Sequence, residues 1–126
     1  MDHQIILVVD DDHDVLSAIQ AVCASQTDQK ILGASDFVEA LAILSTTHVD
    51  ILIADIMLPG PASEDGVALS FEAMDAWPNI ALVLISADAA GTFDTYSKRA
   101  VCLRKPFGRD ELFAGMAQAR LNSRTQ

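Results

Sequence analysis

The sequence predicts an α/β protein: a doubly wound, five-stranded parallel sheet covered by helices on both faces. Short, continuously apolar and β-branched runs recur along the chain, and apolar residues at helical spacing separate them. The 126 residues, of which 51% are hydrophobic, match the usual size of one domain with a single core. In such a sheet the functional site lies at the carboxyl ends of the strands.

Five runs are predicted to be strands. The first, residues 4–9 (QIILVV), is short and β-branched, as expected of a strand buried on both faces. Three later runs have the same character, and the second run along the chain is weaker. The predicted strands are residues 4–9, 30–34, 49–54, 80–85 and 100–103.

Helices are predicted between and after these strands. Apolar residues at helical spacing mark a first helix over residues 15–23. Asp36 followed by Glu39 predicts a capping box before a second helix over residues 37–44. A third helix, over residues 67–77, ends before Pro78. The last, residues 110–121, has acids in its first turn and Arg120 near its end.

The composition excludes several classes of protein. A formal net charge of -10 argues against direct nucleic-acid binding, because duplex affinity comes largely from Lys and Arg. No apolar run approaches the roughly 20 residues that span a bilayer, and the first residues lack the basic region of a secretory signal. We therefore expect a cytoplasmic protein without membrane contact. Cys23 and Cys102 lack metal-ligand spacing and are expected to be free thiols.

The charge is unevenly distributed. Residues 1–97 hold 16 acids and one base, whereas residues 98–126 hold 2 acids and 7 bases. A solvated basic helix explains this best, and a partner-docking patch is the alternative. In the second case ordering of residues 88–99 should build one surface, suited to an acidic partner, from Lys98, Arg99, Arg104 and Arg109.

Carboxylates follow two of the predicted strands. Asp10, Asp11 and Asp12 come after the first strand, and Asp55 comes after the third. Clustered carboxylates repel one another, so a shared cation stabilises them, and Mg²⁺ prefers oxygen ligands of this kind. Asp12, together with Asp14, is better explained as capping or charging the amino end of the first helix.

Two further side chains complete a possible phosphate site. Ser86, after the fourth strand, offers a hydroxyl, and Lys105, after the fifth, offers an ammonium group to phosphoryl oxygens.

At this point the sequence resembles the receiver domain of response regulators. Four segments carry the resemblance, in order and at near-family spacing: residues 6–11 (ILVVDD), 50–60 (DILIADIMLPG), 84–87 (LISA) and 103–107 (LRKPF). The resemblance implies a flavodoxin-like sheet of strand order 2-1-3-4-5.

The resemblance also implies the chemistry. Asp55 would accept a phosphoryl group from a sensor histidine kinase or a histidine phosphotransfer protein. Asp11 would ligate Mg²⁺ directly and Asp10 mostly through water, with Asp55 and the backbone carbonyl of Met57 completing the protein ligands. Lys105 would pair with phosphoryl oxygens, and the Lys105–Pro106 bond would be cis. Such a protein is not an enzyme beyond catalysing its own phosphorylation and dephosphorylation.

Three features depart from the family pattern. The loop over residues 55–66 is about three residues longer than usual, and the interval between Ser86 and Lys105 is about three residues shorter. The fourth helix, around residues 92–99, should therefore be short or irregular. We expect residues 88–99 to become ordered on phosphorylation, since Cys102 replaces the usual aromatic switch. Single-domain receivers of alphaproteobacteria with a reduced fourth helix are similar.

Several functions remain in competition. The leading expectation is a receiver over residues 1–126 with no output domain, which signals by protein–protein interaction or phosphorelay to an unknown downstream protein. One alternative is a receiver from a hybrid histidine kinase. Another is a haloacid-dehalogenase-like phosphatase, although Met57 stands where that family needs a second acid. A phosphorylation-dead interaction module conflicts with the presence of Asp11, Asp55 and Lys105.

Overall fold

The computed structural model describes residues 4–25, 29–87 and 99–124. Strands and helices alternate as predicted as far as the fourth strand, with a short 3₁₀ turn before the third helix, and the last helix follows the fifth strand. In chain order they are β1 (Gln4–Val9), α1 (His13–Ala24), β2 (Gln29–Ala34), α2 (Phe37–Thr46), β3 (Ile51–Asp55), the 3₁₀ turn (Ala62–Glu64), α3 (Gly66–Ala76), β4 (Ala81–Ser86), β5 (Val101–Arg104) and α4 (Arg109–Arg124).

The five strands form one parallel sheet in the order β2-β1-β3-β4-β5, which confirms the predicted topology. Helix α4 extends three residues beyond the predicted end, to Arg124. The predicted fourth helix and its expected ordering fall on residues 88–98, outside the described residues. Arg99, the last residue of that prediction, lies in a turn before β5.

Alternating side chains of the sheet form two apolar layers. Leu7 and Leu52 point to the layer under α2 and α3, whereas Ile6 and Ile53 point to the layer under α1 and α4. Because β3 and β4 are buried along their whole length, their residues are continuously apolar up to the polar side chains at their carboxyl ends. The edge strands β2 and β5 are less buried, and each carries one exposed cation, Lys30 and Arg104 respectively.

Side-chain caps begin the first two helices as predicted. Asp12 Oδ1 accepts hydrogen bonds from the backbone N–H groups of Asp14 (2.9 Å) and Val15 (3.3 Å). Asp36 Oδ1 accepts from Glu39 N–H at 2.8 Å, but Glu39 accepts in return from Ser35 N–H, one residue before the expected partner. Among the described residues, no helix has the length and apolar character to span a bilayer.

Candidate functional site

Three carboxylates meet at the carboxyl end of the sheet. Asp55 ends β3, and Asp10 and Asp11 follow the adjacent strand β1. One ligand oxygen from each of the three lies within 4.8 Å of the others. Asp10 is 1% exposed and Asp55 6% exposed, whereas Asp11 faces solvent. The sequence prediction that these acids converge is therefore confirmed.

Backbone amides hold the two buried carboxylates in place. Asp12 N–H donates to Asp10 Oδ1, and Met57 N–H donates to Asp55 Oδ1, both at 2.9 Å. Each carboxylate is thereby anchored through one oxygen. The second oxygens, Oδ2 of Asp10 and of Asp55, remain available to a cation.

Lys105 supplies a cation to both of these oxygens. Its Nζ lies 2.9 Å from Asp55 Oδ2 and 3.6 Å from Asp10 Oδ2. The lysine follows β5, and its backbone N–H donates to the Ser86 carbonyl at 2.8 Å, which extends the pairing of β4 with β5 by one step. The Lys105–Pro106 bond is cis, as the family resemblance implied.

The electrostatics of the site follow from burial and proximity. Desolvation raises the pKa of Asp10, and the nearby charges of Asp55 and Asp11 act in the same direction. Burial alone would lower the pKa of Lys105, but its hydrogen bond to Asp55 and the charges of Asp55 and Asp10 raise it above the ordinary value. Lys105 is therefore protonated at neutral pH.

The donor set fits a hard divalent cation. Three carboxylates cluster here and one ammonium group contacts two of them, so negative charge exceeds positive charge at the site. Within the described part of the chain, Asp10 Oδ2 is buried and accepts no hydrogen bond. An all-oxygen cluster with a partly exposed face is the kind of site that Mg²⁺ occupies while it keeps several waters.

Ser86 and Met57 flank this cluster. Ser86 is the last residue of β4 and is 4% exposed, one position beyond the residue that pairs with Asp55. The Met57 side chain is 66% exposed, while its backbone N–H is engaged by Asp55. Both therefore lie around the end of β3, as expected.

Gly66 closes the enlarged loop, a role that the sequence did not reveal. Its N–H donates at 2.9 Å to the carbonyl of Ile56, the residue that follows Asp55. A Cβ at this position would lie 2.1 Å from the Asp55 carbonyl oxygen and 2.7 Å from Ile56 Cα. Only glycine permits this backbone approach. The extra loop residues are accommodated by Gly60, at φ 113°, and by the 3₁₀ turn.

An apolar groove adjoins the site and was also not predicted. It has a volume of about 600 Å³ and lies between α1 and the segment that connects β5 to α4. Lys105 belongs both to the groove and to the acidic cluster. The main apolar lining residues are Val15, Ala18, Ile19, Val22, Phe107 and Leu112.

Comparisons with known proteins agree with this geometry. The family model for the response regulator receiver domain matches residues 6–117. None of the curated proteins is significantly similar.

Among solved structures, a response regulator receiver protein from Sinorhizobium medicae superposes with a TM-score of 0.86 at 24% identity, over 96% of this chain and 97% of that one. A CheY-like receiver domain protein from Methanospirillum hungatei gives 0.82 at 19% identity, over 98% of both chains. The response regulator TrrA from Thermotoga maritima, in complex with Mg²⁺ and BeF, gives 0.80 at 25% identity, over 92% of this chain and 98% of that one.

Proposed function

The chain belongs to the response regulator receiver domain family, and from this premise we propose that Asp55 is its phosphoacceptor. The observation that carries the proposal is the contact between Lys105 Nζ and Asp55 Oδ2 at 2.9 Å, beside two further carboxylates. Phosphoryl transfer requires mainly positioning and charge neutralisation, and this cluster offers a nucleophilic carboxylate with a cation already beside it.

Each remaining site residue has a distinct proposed role. Asp11 is a direct Mg²⁺ ligand, Asp10 acts mostly through water, and Asp55 with the Met57 carbonyl completes the protein ligands. When bound, Mg²⁺ neutralises charge on the transferring group. The Mg²⁺ and BeF complex of the Thermotoga maritima relative supports this assignment. Lys105 pairs with phosphoryl oxygens, and Ser86 donates its hydroxyl to another of them.

The proposed donor is a protein that carries a phosphohistidine, either a sensor histidine kinase or a histidine phosphotransfer protein. The apolar groove supports this because it shares Lys105 with the site, so a helix seated along α1 would lie directly beside Asp55. The chain then catalyses only its own phosphorylation and dephosphorylation. It signals by binding a downstream protein or by passing the phosphoryl group on.

Labelling with acetyl phosphate and Mg²⁺ tests the phosphoacceptor. The wild-type protein should gain one phosphoryl group by intact-mass measurement, and Asp55→Asn should gain none because the nucleophile is lost with little change in volume. Asp75→Asn, an exposed acid on α3, is the matched control and should label like the wild type. Labelling of Asp55→Asn at the wild-type rate would move the acceptor to another residue.

Asp11→Asn tests the metal assignment separately. Loss of a direct carboxylate ligand should weaken Mg²⁺ binding, which titration calorimetry measures. Unchanged Mg²⁺ affinity would remove Asp11 from the ligand set without affecting the assignment of Asp55.

A further inference from the structure

A polar pocket lies at the amino end of the sheet, opposite the phosphoacceptor. It has a volume of about 440 Å³ and is formed where α4 crosses the starts of β1 and β4. Its polar lining residues are Gln4, Asp50, Asn79, Arg120, Ser123 and Arg124. This volume falls within the range of small-molecule sites.

Two arginines in this lining have no partner among the described residues. Arg120 and Arg124 are four residues apart, one turn of α4, and so lie on the same face of the helix. Neither guanidinium forms an ion pair or a hydrogen bond with any residue in the described ranges. By contrast, Arg109 donates to Ser25 Oγ and stacks over Phe113.

The acid in the pocket offsets only part of the charge of these two arginines. Asp50 Oδ2 accepts a hydrogen bond from Ile5 N–H at 2.9 Å, so its carboxylate is committed to joining the starts of β1 and β3. The hydroxyl of Ser123 is likewise engaged, since it donates to the Arg120 carbonyl at 2.8 Å. The pocket therefore carries net positive charge in a protein whose net charge is -10.

A smaller cavity of about 100 Å³ shares Gln4 and Arg120 with this pocket. Gln29 lines it, and Gln29 Oε1 is buried with no hydrogen bond to a described residue. A buried acceptor oxygen without a donor is unfavourable, and a ligand hydroxyl would satisfy it.

We propose that this pocket binds a small hydroxylated organic anion through a phosphate or carboxylate group. The planar guanidinium groups of Arg120 and Arg124 present paired N–H donors that match two oxygens of such a group. The side-chain amides of Gln4 and Asn79 add neutral donors, and Gln29 Oε1 accepts from a ligand hydroxyl. The site is separate from the phosphoacceptor and does not depend on it.

Titration calorimetry on the metal-free full chain tests the proposal with three probes: glucose 6-phosphate, citrate and inorganic phosphate. We expect saturable binding with a dissociation constant of about 1 mM or tighter for at least one organic anion. Glucose 6-phosphate and citrate distinguish a phosphate from a carboxylate ligand. Inorganic phosphate, which lacks a hydroxyl-bearing skeleton, should bind more weakly than the preferred organic anion.

Variants locate the binding. Arg120→Gln and Arg124→Gln should each weaken it by at least about tenfold, since each removes a charge-assisted donor pair. Arg104→Gln removes the same charge at the other end of the sheet and should change affinity less than about twofold. If Arg120→Gln unfolds, Arg124→Gln at the helix end still decides the matter. Asp55→Asn should bind like the wild type.

Two results would overturn the proposal. One is the absence of saturable binding for all three probes. The other is equal loss of affinity in Arg104→Gln and Arg124→Gln, which would mean that the anions respond only to overall charge.

Discussion

The two ends of the sheet differ in how their charged side chains are paired. At the carboxyl end, one lysine lies among three carboxylates, and its ammonium contacts both buried acids. At the amino end, two arginines line a pocket whose single carboxylate is already engaged by the backbone of β1. At the carboxyl end the ammonium group is paired with carboxylates of the protein, whereas at the amino end the two arginines pair with no acid among the residues described.

This difference follows from the parallel topology of the sheet, which gathers different residues at its two ends. Every strand in the sheet points the same way, so residues that follow strands meet at one end and residues that precede them meet at the other. The acidic end suits a metal ion, and the basic end suits an anion.

The largest expected effect is a loss of stability when the close backbone packing at the carboxyl end of the sheet is disrupted. Gly66→Ala would place a methyl group 2.1 Å from the Asp55 carbonyl oxygen, and backbone atoms cannot move aside as a side chain can. We expect the free energy of unfolding to fall by about 3 kcal/mol or more in urea titrations. Gly108→Ala is the control, because its added Cβ would meet only Glu111 Oε1 at 3.7 Å. Equal stability of the two variants would contradict the clash.

The next prediction distinguishes phosphotransfer from a protein donor from labelling by a small phosphodonor, again at the carboxyl end of the sheet. Ala18 is exposed and lines the apolar groove, so Ala18→Arg should obstruct a docked partner without disturbing the core. Phosphotransfer from a histidine kinase or phosphotransfer protein active on the wild type should slow by at least about tenfold. Labelling by acetyl phosphate should not change. Ala42→Arg, exposed on α2 at the opposite face, should leave both rates unaltered.

A smaller effect concerns the stability of the metal-free acidic cluster. Because the folded state raises the pKa of Asp10, the folded protein holds that proton more tightly than the unfolded chain. Stability is therefore lost as the pH rises from 3.8 through the raised value. Asp10→Asn avoids this loss, so its melting temperature should exceed that of the wild type by a few degrees at neutral pH.

The pH series supplies the check. The advantage of Asp10→Asn should shrink as the pH falls toward 3.8, and Mg²⁺ should stabilise the wild type more than the variant. Asp75→Asn controls for general charge reduction. A higher melting temperature of Asp10→Asn at every pH would mean that ionisation of Asp10 is not what destabilises the metal-free protein.

The smallest expected effect is a change in anion affinity at the amino end of the sheet. Asp50→Asn keeps an acceptor for Ile5 N–H but removes the one acid among the described residues that line the polar pocket. Anion affinity should rise by about threefold, a gain typical of removing one partly screened like charge. Calorimetry with the anion that binds the wild type measures it, and a fall in affinity would show that the carboxylate itself contacts the ligand.

The fold and the acidic cluster were predictable from local patterns. The apolar runs located all five strands, and because parallel strands end together, the polar residues at their carboxyl ends, Asp10, Asp55 and Lys105, were expected at one edge of the sheet. Gly66 was not recognised, because its requirement comes from the backbone of Asp55, a contact across the loop.

The basic residues were predicted least well. One prediction was a single docking surface with Lys98, Arg99, Arg104 and Arg109, and Lys98 lies outside the described residues. In this structure the Arg99 guanidinium is buried and donates to the Ile80 carbonyl, and burial lowers its pKa. Exposed Arg104 does not share that environment. Charge counting cannot distinguish a solvated arginine from one that snorkels along apolar surface to a carbonyl.

The exposed cations of the two edge strands bear on how the protein behaves at high concentration. β2 and β5 end the sheet on either side, and an unpaired strand is a template to which a strand from another molecule can add. Lys30 and Arg104 place a charge on each of these strands. A second copy adding in parallel would bring like charges together, so these two side chains help to keep the sheet from growing into an aggregate.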